Sequence, residues 1–249
     1  MKRLDSYSQH FLRSPHLVKE LVGHSSVKKT DVVYDIGAGS GVITSMLAGR
    51  CKRVVAIEAE PRTAQKLRTN MQKYSNVTVV ESDVLAMKLP RETYKIFANI
   101  PFHLSSAIVQ KFTEADRPPV AMHLIVQKQF ANKLLVSPAH FTGQLGGIIA
   151  PWFTARIRKH LRRTDFWPHP NVDTVLLELK PRDTPLLPIE IKGEYKNFVA
   201  NCFSTPKFFA KTALAEAGIA SGTKPSQLQT EQWVVLFLKS KKDIAKQPS

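Results

Sequence analysis

Cysteine is almost missing from the chain. Only Cys51 and Cys202 occur, and neither stands in a CxxC pair or in a Cys/His group with metal-ligand spacing. The expectation is therefore no zinc site and no disulfide. Long hydrophobic runs are missing too: no apolar stretch reaches membrane-spanning length, and the opening MKRLDSYSQHFL has no long apolar core or small-residue cleavage pattern. A cytoplasmic protein with no membrane partner is expected. Acidic residues are scarce, 20 Asp and Glu against 36 Lys and Arg, which leaves a net charge of +16. Solubility does not require so lopsided a balance, and it points to a polyanionic partner, nucleic acid first. Internal repeats and low-complexity segments are likewise not seen. What is present is 249 residues, 43% of them hydrophobic, enough for one large core and a smaller second one.

Ser14 and Pro15 supply an N-cap and a first-turn proline for the helical spacing of HLVKELV. DVVYDIGAGSGV then reads as a buried strand entering a glycine loop, with ITSMLAGR as the helix that follows. The unit repeats. RVVAIEAE, NVTVVESDV, YKIFANIPF and PVAMHLIVQ read as strands, interleaved with the helical PRTAQKLRTNMQKY, SSAIVQKF and QKQFANKLL. IIAPWFTARIRKHL and VDTVLLELK read as a closing pair of strands. Strands alternating with helices predict an α/β, doubly wound and mainly parallel sheet. After LKPRDTPLLP the texture becomes helical, in EYKNFVANCF, KFFAKTALAEAG and EQWVVLFLKSKK. The expected division is a catalytic domain over residues 1–183 and a small helical domain over 184–249.

Gly37, Gly39 and Gly41 permit a sharp turn after the first long strand and close approach of a ligand to the backbone. A dinucleotide fingerprint would continue as GxGxxG, but residue 42 is Val, so the last glycine comes one position early. Glu58 ends the next strand, where a carboxylate can bind both hydroxyls of a ribose, and Asp83 follows the third, where one can accept from an adenine amine. Each alone reads more readily as a solvated strand end than as a ligand contact. Together with Asn99 after the fourth strand they fall at successive carboxyl ends, the edge at which open α/β sheets bind ligands.

These motifs, with YSQHFL, YKIFANIPFHLSS, LIVQKQFA, FWPHPNVDTVLLEL and EQWVVLF, run over nearly the whole chain. The sequence resembles the Rossmann-like S-adenosylmethionine-dependent rRNA adenine N6-methyltransferases, and most of all the erythromycin-resistance methyltransferases of 23S rRNA. That resemblance implies a class I methyltransferase sheet with a small helical C-terminal domain, and cofactor contacts at His10, Leu12, Gly37, Gly39, Glu58, Asp83 and Asn99. The methionine end would lie against Gly37 and QHFL, the ribose on Glu58 and the adenine on Asp83. The family usually has Asn where this chain has His10, which can still make one hydrogen bond. A monomer acting on 23S rRNA before it is enclosed in the ribosome is implied, with macrolide, lincosamide and streptogramin B resistance as the outcome. The alternatives are the 16S adenine dimethylase, which usually carries NLPY where this chain has NIPF, and a catalytically idle RNA-binding homologue. An NAD-dependent oxidoreductase fails on the glycine spacing.

Within NIPF, catalytic roles fall on Asn99, Ile100, Pro101 and Phe102. The Asn99 side-chain oxygen and the Ile100 carbonyl would accept from an adenine amine and point its lone pair at the sulfonium methyl. Pro101 biases Ile100 to an extended conformation. Phe102 would stack on a base that has left its helix. No metal is required. Basic residues in ARIRKHLRR, and Arg91, Lys111 and Lys133, offer RNA phosphate contacts, although a charged run also reads as a solvated face. Trp152, Trp167 and Trp233 are expected in the core or at a domain interface.

Overall fold

A computed structural model describes residues 11, 12, 14–136 and 141–244. After the short strand β1 (Phe11–Leu12), helix α1 (Pro15–Gly23) begins where its cap predicts, with Ser14 Oγ accepting from the Leu17 amide at 3.3 Å. The alternating part then runs β2 (Val32–Ile36), α2 (Val42–Ala48), β3 (Arg53–Glu58), α3 (Pro61–Met71) and β4 (Val77–Glu81). It continues with β5 (Lys95–Asn99), α4 (Ser105–Thr113), β6 (Ala121–Gln127) and α5 (Lys128–Leu134). α6 (Gln144–Ile149) precedes β7 (Phe153–Leu161), β8 (Phe166–Trp167) and β9 (Thr174–Pro181). The last helices are α7 (Lys192–Ser204), α8 (Pro206–Ala210) and α9 (Thr230–Ile244).

Seven strands form one sheet in the order β4-β3-β2-β5-β6-β9-β7, and β1 pairs with β8 in a separate ladder. β2, β3, β4, β5 and β6 are mutually parallel, whereas β9 runs antiparallel to β6. The α/β expectation holds. Burial explains the strand texture: β2, β3, β5 and β6 are covered on both faces and read as near-continuous β-branched and aliphatic runs. Chain order reverses at β2, whose neighbours are β3 on one side and β5 on the other. A crevice therefore opens beyond its carboxyl end.

Contacts gather the chain into two units. The first runs to Ala131 and takes in Arg156–Lys180; the second joins Asn132–Ala155 to the chain from Pro181 onward. A cut at 183/184 assigns Asn132–Ala155 to the other side, because that segment has no composition break to mark it. The second unit has an aromatic core in which Tyr195 packs edge-on against Trp152 and Phe237, at 5.5 and 5.2 Å, and donates its hydroxyl to the Gly147 carbonyl at 3.0 Å.

Three local expectations change. Ile148 and Ile149, read as the start of a strand, instead end the helix α6, since a short buried apolar run has no periodicity to tell helix from strand. KFFAKTALAEAG is helical only through Ala210 and then turns. Trp152 and Trp233 are buried, but Trp167 is 62% exposed and belongs to no core.

Candidate active site

The loop after β2 makes three left-handed turns, at Gly37 (φ 67°), Gly39 (57°) and Gly41 (93°), a conformation that glycine adopts without a Cβ clash. It is fastened to β3 rather than left open. The amides of Gly37 and Ala38 both donate to the Ile57 carbonyl, at 2.9 and 3.0 Å. The Gly39 amide donates to Glu58 Oε2 at 2.9 Å, and the Glu60 amide to Glu58 Oε1 at 3.1 Å. Glu58 is buried, so both oxygens of its carboxylate are oriented from behind by backbone donors. A Cβ at Gly37 would lie 3.8 Å from Pro101 Cδ and 4.0 Å from the Asn99 carbonyl oxygen. The glycine loop and the NIPF turn thus lie within a methyl group's reach of each other, although 62 residues separate Gly37 from Asn99.

Beyond these strand ends lies a cleft of about 580 Å³. Ile36, Ile57, Val84, Leu85 and Leu104 give it apolar walls, and Glu58, Glu60 and Asp83 supply its acids. Asp83 is exposed at the rim, its Oδ1 fixed by the Leu85 amide at 2.8 Å. Gly37, Pro101 and His103 complete the part that faces NIPF. Among the described residues, neither lysine nor arginine lines it. A phosphate-bearing dinucleotide would meet three carboxylates with no counter-charge, whereas a nucleoside with a cationic sulfur and an ammonium suits this donor set. S-adenosylmethionine fits that chemistry: Glu58 offers acceptors to a ribose diol, Asp83 offers one to an adenine amine, and the apolar walls can take the purine.

Asn99 is the last residue of β5, opposite Ile125 of β6, and is half-buried. Ile100 is buried. Pro101 holds φ −58° and ψ 129°, and its carbonyl accepts from the Leu104 amide at 3.0 Å to close a 3-10 turn over Phe102–Leu104. Phe102 sits half-buried on that turn, at the entrance to α4. Of the expected site residues, Gly37, Glu58, Asp83 and Pro101 line the cleft, and Gly39 is tied to it through Glu58. Leu12 is placed elsewhere, in a core cluster with Phe97, Ile125 and Phe166. His10 lies outside the described residues.

Two residues were missed by sequence reasoning. His103, given no site role from the sequence, lines the cleft. Asp35 is fully buried in β2, accepts from Thr44 Oγ1 of α2 at 2.6 Å through Oδ2, and leaves Oδ1 without a hydrogen-bond partner. Burial pushes its carboxyl up to about 7, and nearby Glu58 adds to the rise, against the opposing hydrogen bond from Thr44. An acid in the middle of an apolar strand was the available signal. Among the basic residues, Lys111 is already engaged: its ammonium donates to the Leu85 and Met87 carbonyls at 2.9 and 2.8 Å and holds the cleft loop after β4.

Among the described residues, no helix is long and apolar enough to cross a membrane. The family model for ribosomal RNA adenine dimethylase matches residues 2–224. The rRNA adenine N-6-methyltransferase of Limosilactobacillus reuteri is 30% identical over 234 residues, 92% of this chain and 93% of its own length. Ribosomal RNA small subunit methyltransferase A of Enterococcus faecalis is 28% identical over 200 residues, 76% of this chain and 68% of its own. The crystal structure of the 23S rRNA methyltransferase ErmE superposes with a TM-score of 0.78 at 27% identity, covering 93% of this chain and 99% of that one.

Proposed function

The chain belongs to the ribosomal RNA adenine dimethylase family, and from that premise we propose that its substrate is one adenine of 23S rRNA, in the peptidyl-transferase loop. It is an S-adenosylmethionine-dependent rRNA adenine methyltransferase; the choice of RNA is the proposal. The observation that carries it is the 27% identity with a 23S enzyme through 93% and 99% of the two chains. NIPF rather than NLPY, the short C-terminal unit and EQWVVLF lean the same way. A second reading, 16S rRNA, is favoured by the 28% identity with the small-subunit enzyme of E. faecalis.

S-adenosylmethionine supplies an electrophilic methyl on sulfur. The residues of this chain have to make a poor nucleophile attack it. An adenine amine delocalises its lone pair into the ring. The Asn99 side-chain oxygen and the Ile100 carbonyl accept from its two hydrogens and draw the nitrogen toward tetrahedral geometry, so the lone pair points out of the ring plane. Pro101 keeps Ile100 extended, and its closeness to Gly37 sets the amine near the glycine loop. Phe102 stacks on the unstacked base. Once methylated, the acidified amine would give its extra proton to water, so no strong base is needed among these residues. Sequence-specific RNA readers favour unpaired bases, and this loop is enclosed in the finished subunit, so naked or incompletely assembled RNA is the substrate, taken by a monomer.

Expression in a macrolide-sensitive bacterium tests the reading. Resistance with methyl groups in 23S rRNA is expected; unchanged sensitivity with methyl groups in 16S rRNA would transfer the assignment to the second reading.

A further inference from the structure

The connection between β7 and β9, residues 162–173, stands on the same sheet edge as NIPF. Thr174 at its end lies opposite Gln127 of β6, two positions beyond Ile125, which lies opposite Asn99. The Lys128 amide donates to the Asp173 carbonyl at 2.8 Å, so the end of the connection is fixed there. On it sits Trp167, at 62% exposure beside two buried tryptophans, Trp152 at 4% and Trp233 at 0%. So exposed an apolar ring offers surface that a further ligand can bury.

The ring is also held in place. Its backbone pairs with Phe11 in the β1–β8 ladder, and its neighbour Phe166 is buried beside Leu12. The His169 ring meets it edge-on, with centroids 5.7 Å apart. His169 is itself positioned, because Nδ1 donates to the Phe166 carbonyl at 2.8 Å and lies 3.1 Å from that of Arg163. Beside it, the side chains of Arg162 and Arg163 are 84% and 56% exposed. Their contacts to Asp165 and Asp173, each 3.3 Å, are surface pairs of the weak kind that a phosphate can displace.

We propose that Trp167 is a stacking platform for a second nucleobase, one flanking the target adenine in the unpaired RNA, with Arg162 and Arg163 on the adjoining phosphates. A fixed aromatic face beside two cations is the arrangement that binds single strands, since every base has a π-face and the ring loses little freedom on binding. The inference rests on the reading that the protein acts on an unpaired adenine in rRNA. It adds a residue that specifies strand geometry rather than chemistry: Phe102 takes the target base and Trp167 takes its neighbour.

Tryptophan fluorescence tests this directly, because Trp167 is the exposed one of three. Titration with a stem-loop RNA carrying the peptidyl-transferase loop should quench the emission, and a fully paired version should quench it much less. Trp167→Phe should abolish the quench while keeping affinity within about threefold, and Trp167→Ala should weaken RNA binding about tenfold or more. In Trp167→Ala, KM for RNA should rise with S-adenosylmethionine affinity unchanged. Quenching that persists in Trp167→Phe, equal RNA affinity in Trp167→Ala, or a loss confined to cofactor affinity would each overturn the platform. If the wild type ignores the 23S loop and binds a 16S hairpin instead, the substrate reading is what fails, and the same titration on that hairpin decides the role of Trp167.

Discussion

Single residues carry the chemistry, and NIPF places two physically different devices side by side. Asn99 acts through directional hydrogen bonds that matter most as the amine changes geometry, so Asn99→Ala should chiefly lower kcat. Phe102 acts by stacking, which is nearly indifferent to ring identity. Phe102→Tyr or Phe102→Trp should retain activity, and Phe102→Ala should lose about 1–3 kcal/mol of flipped-base stabilisation. Single-turnover kinetics on a target-loop RNA check both; an alanine variant at 102 as fast as the parent would reduce Phe102 to a packing residue. Asp35 makes a prediction about pH. Its carboxyl titrates near 3.8 in the unfolded chain and at about 7 when buried, so between these values the native chain keeps a proton that the unfolded chain has lost. Stability of the cofactor-free protein should therefore fall as pH rises from about 4 to about 7, by at most about 1.4 kcal/mol per pH unit from this group. Asp35→Asn should flatten that slope in thermal unfolding across the window; parallel curves for the two proteins would contradict it. Asp35 was passed over although an acid within an apolar strand marks it, because only the fold shows how completely it is buried, and His103 escaped because only the fold shows which side of the turn meets the cleft.

Elements fix where those residues stand. Gly41 enters α2 at φ 93°, and a Cβ there would come within 2.7 Å of Met71 Cε and 2.8 Å of Leu67 Cδ1, both from α3. Gly41→Ala should cost about 1–2 kcal/mol from the left-handed backbone alone. Gly49 at the other end of α2 has φ −76°, and a Cβ there would lie 3.7 Å from the Met46 carbonyl oxygen, so Gly49→Ala should be neutral or slightly stabilising. Denaturant midpoints compare the two, and equal shifts would contradict the account of the loop. At this scale much was legible in the sequence. Strand–glycine loop–helix and the acids at strand ends are local patterns, and each lies where its pattern puts it. The β1–β8 ladder was not legible, because it joins residues 154 and 156 positions apart, and neither was α6, whose last four residues are buried. The engagement of Lys111 by the loop after β4 was hidden for the same reason: a lysine in a helix does not announce which carbonyls it will reach.

The whole molecule sorts its ligands by charge. A chain of net charge +16 carries a cleft whose described lining has three carboxylates and no lysine or arginine, so the polyanion is attracted to the protein but not into that cleft. That separation suits a reaction between a cationic methyl donor and RNA, and it leaves open only which RNA presents the adenine. The long +16 field favours either rRNA equally; selection has to come from shape and from unpaired bases at the sheet edge. Methyl transfer from labelled S-adenosylmethionine to purified 16S and 23S rRNA, followed by mapping of the modified base, measures that choice directly. Label at N6 of one adenine in the peptidyl-transferase loop of 23S rRNA, lost in Asn99→Ala, is the result expected; label confined to 16S rRNA, or label in 23S rRNA that survives Asn99→Ala, would contradict the account.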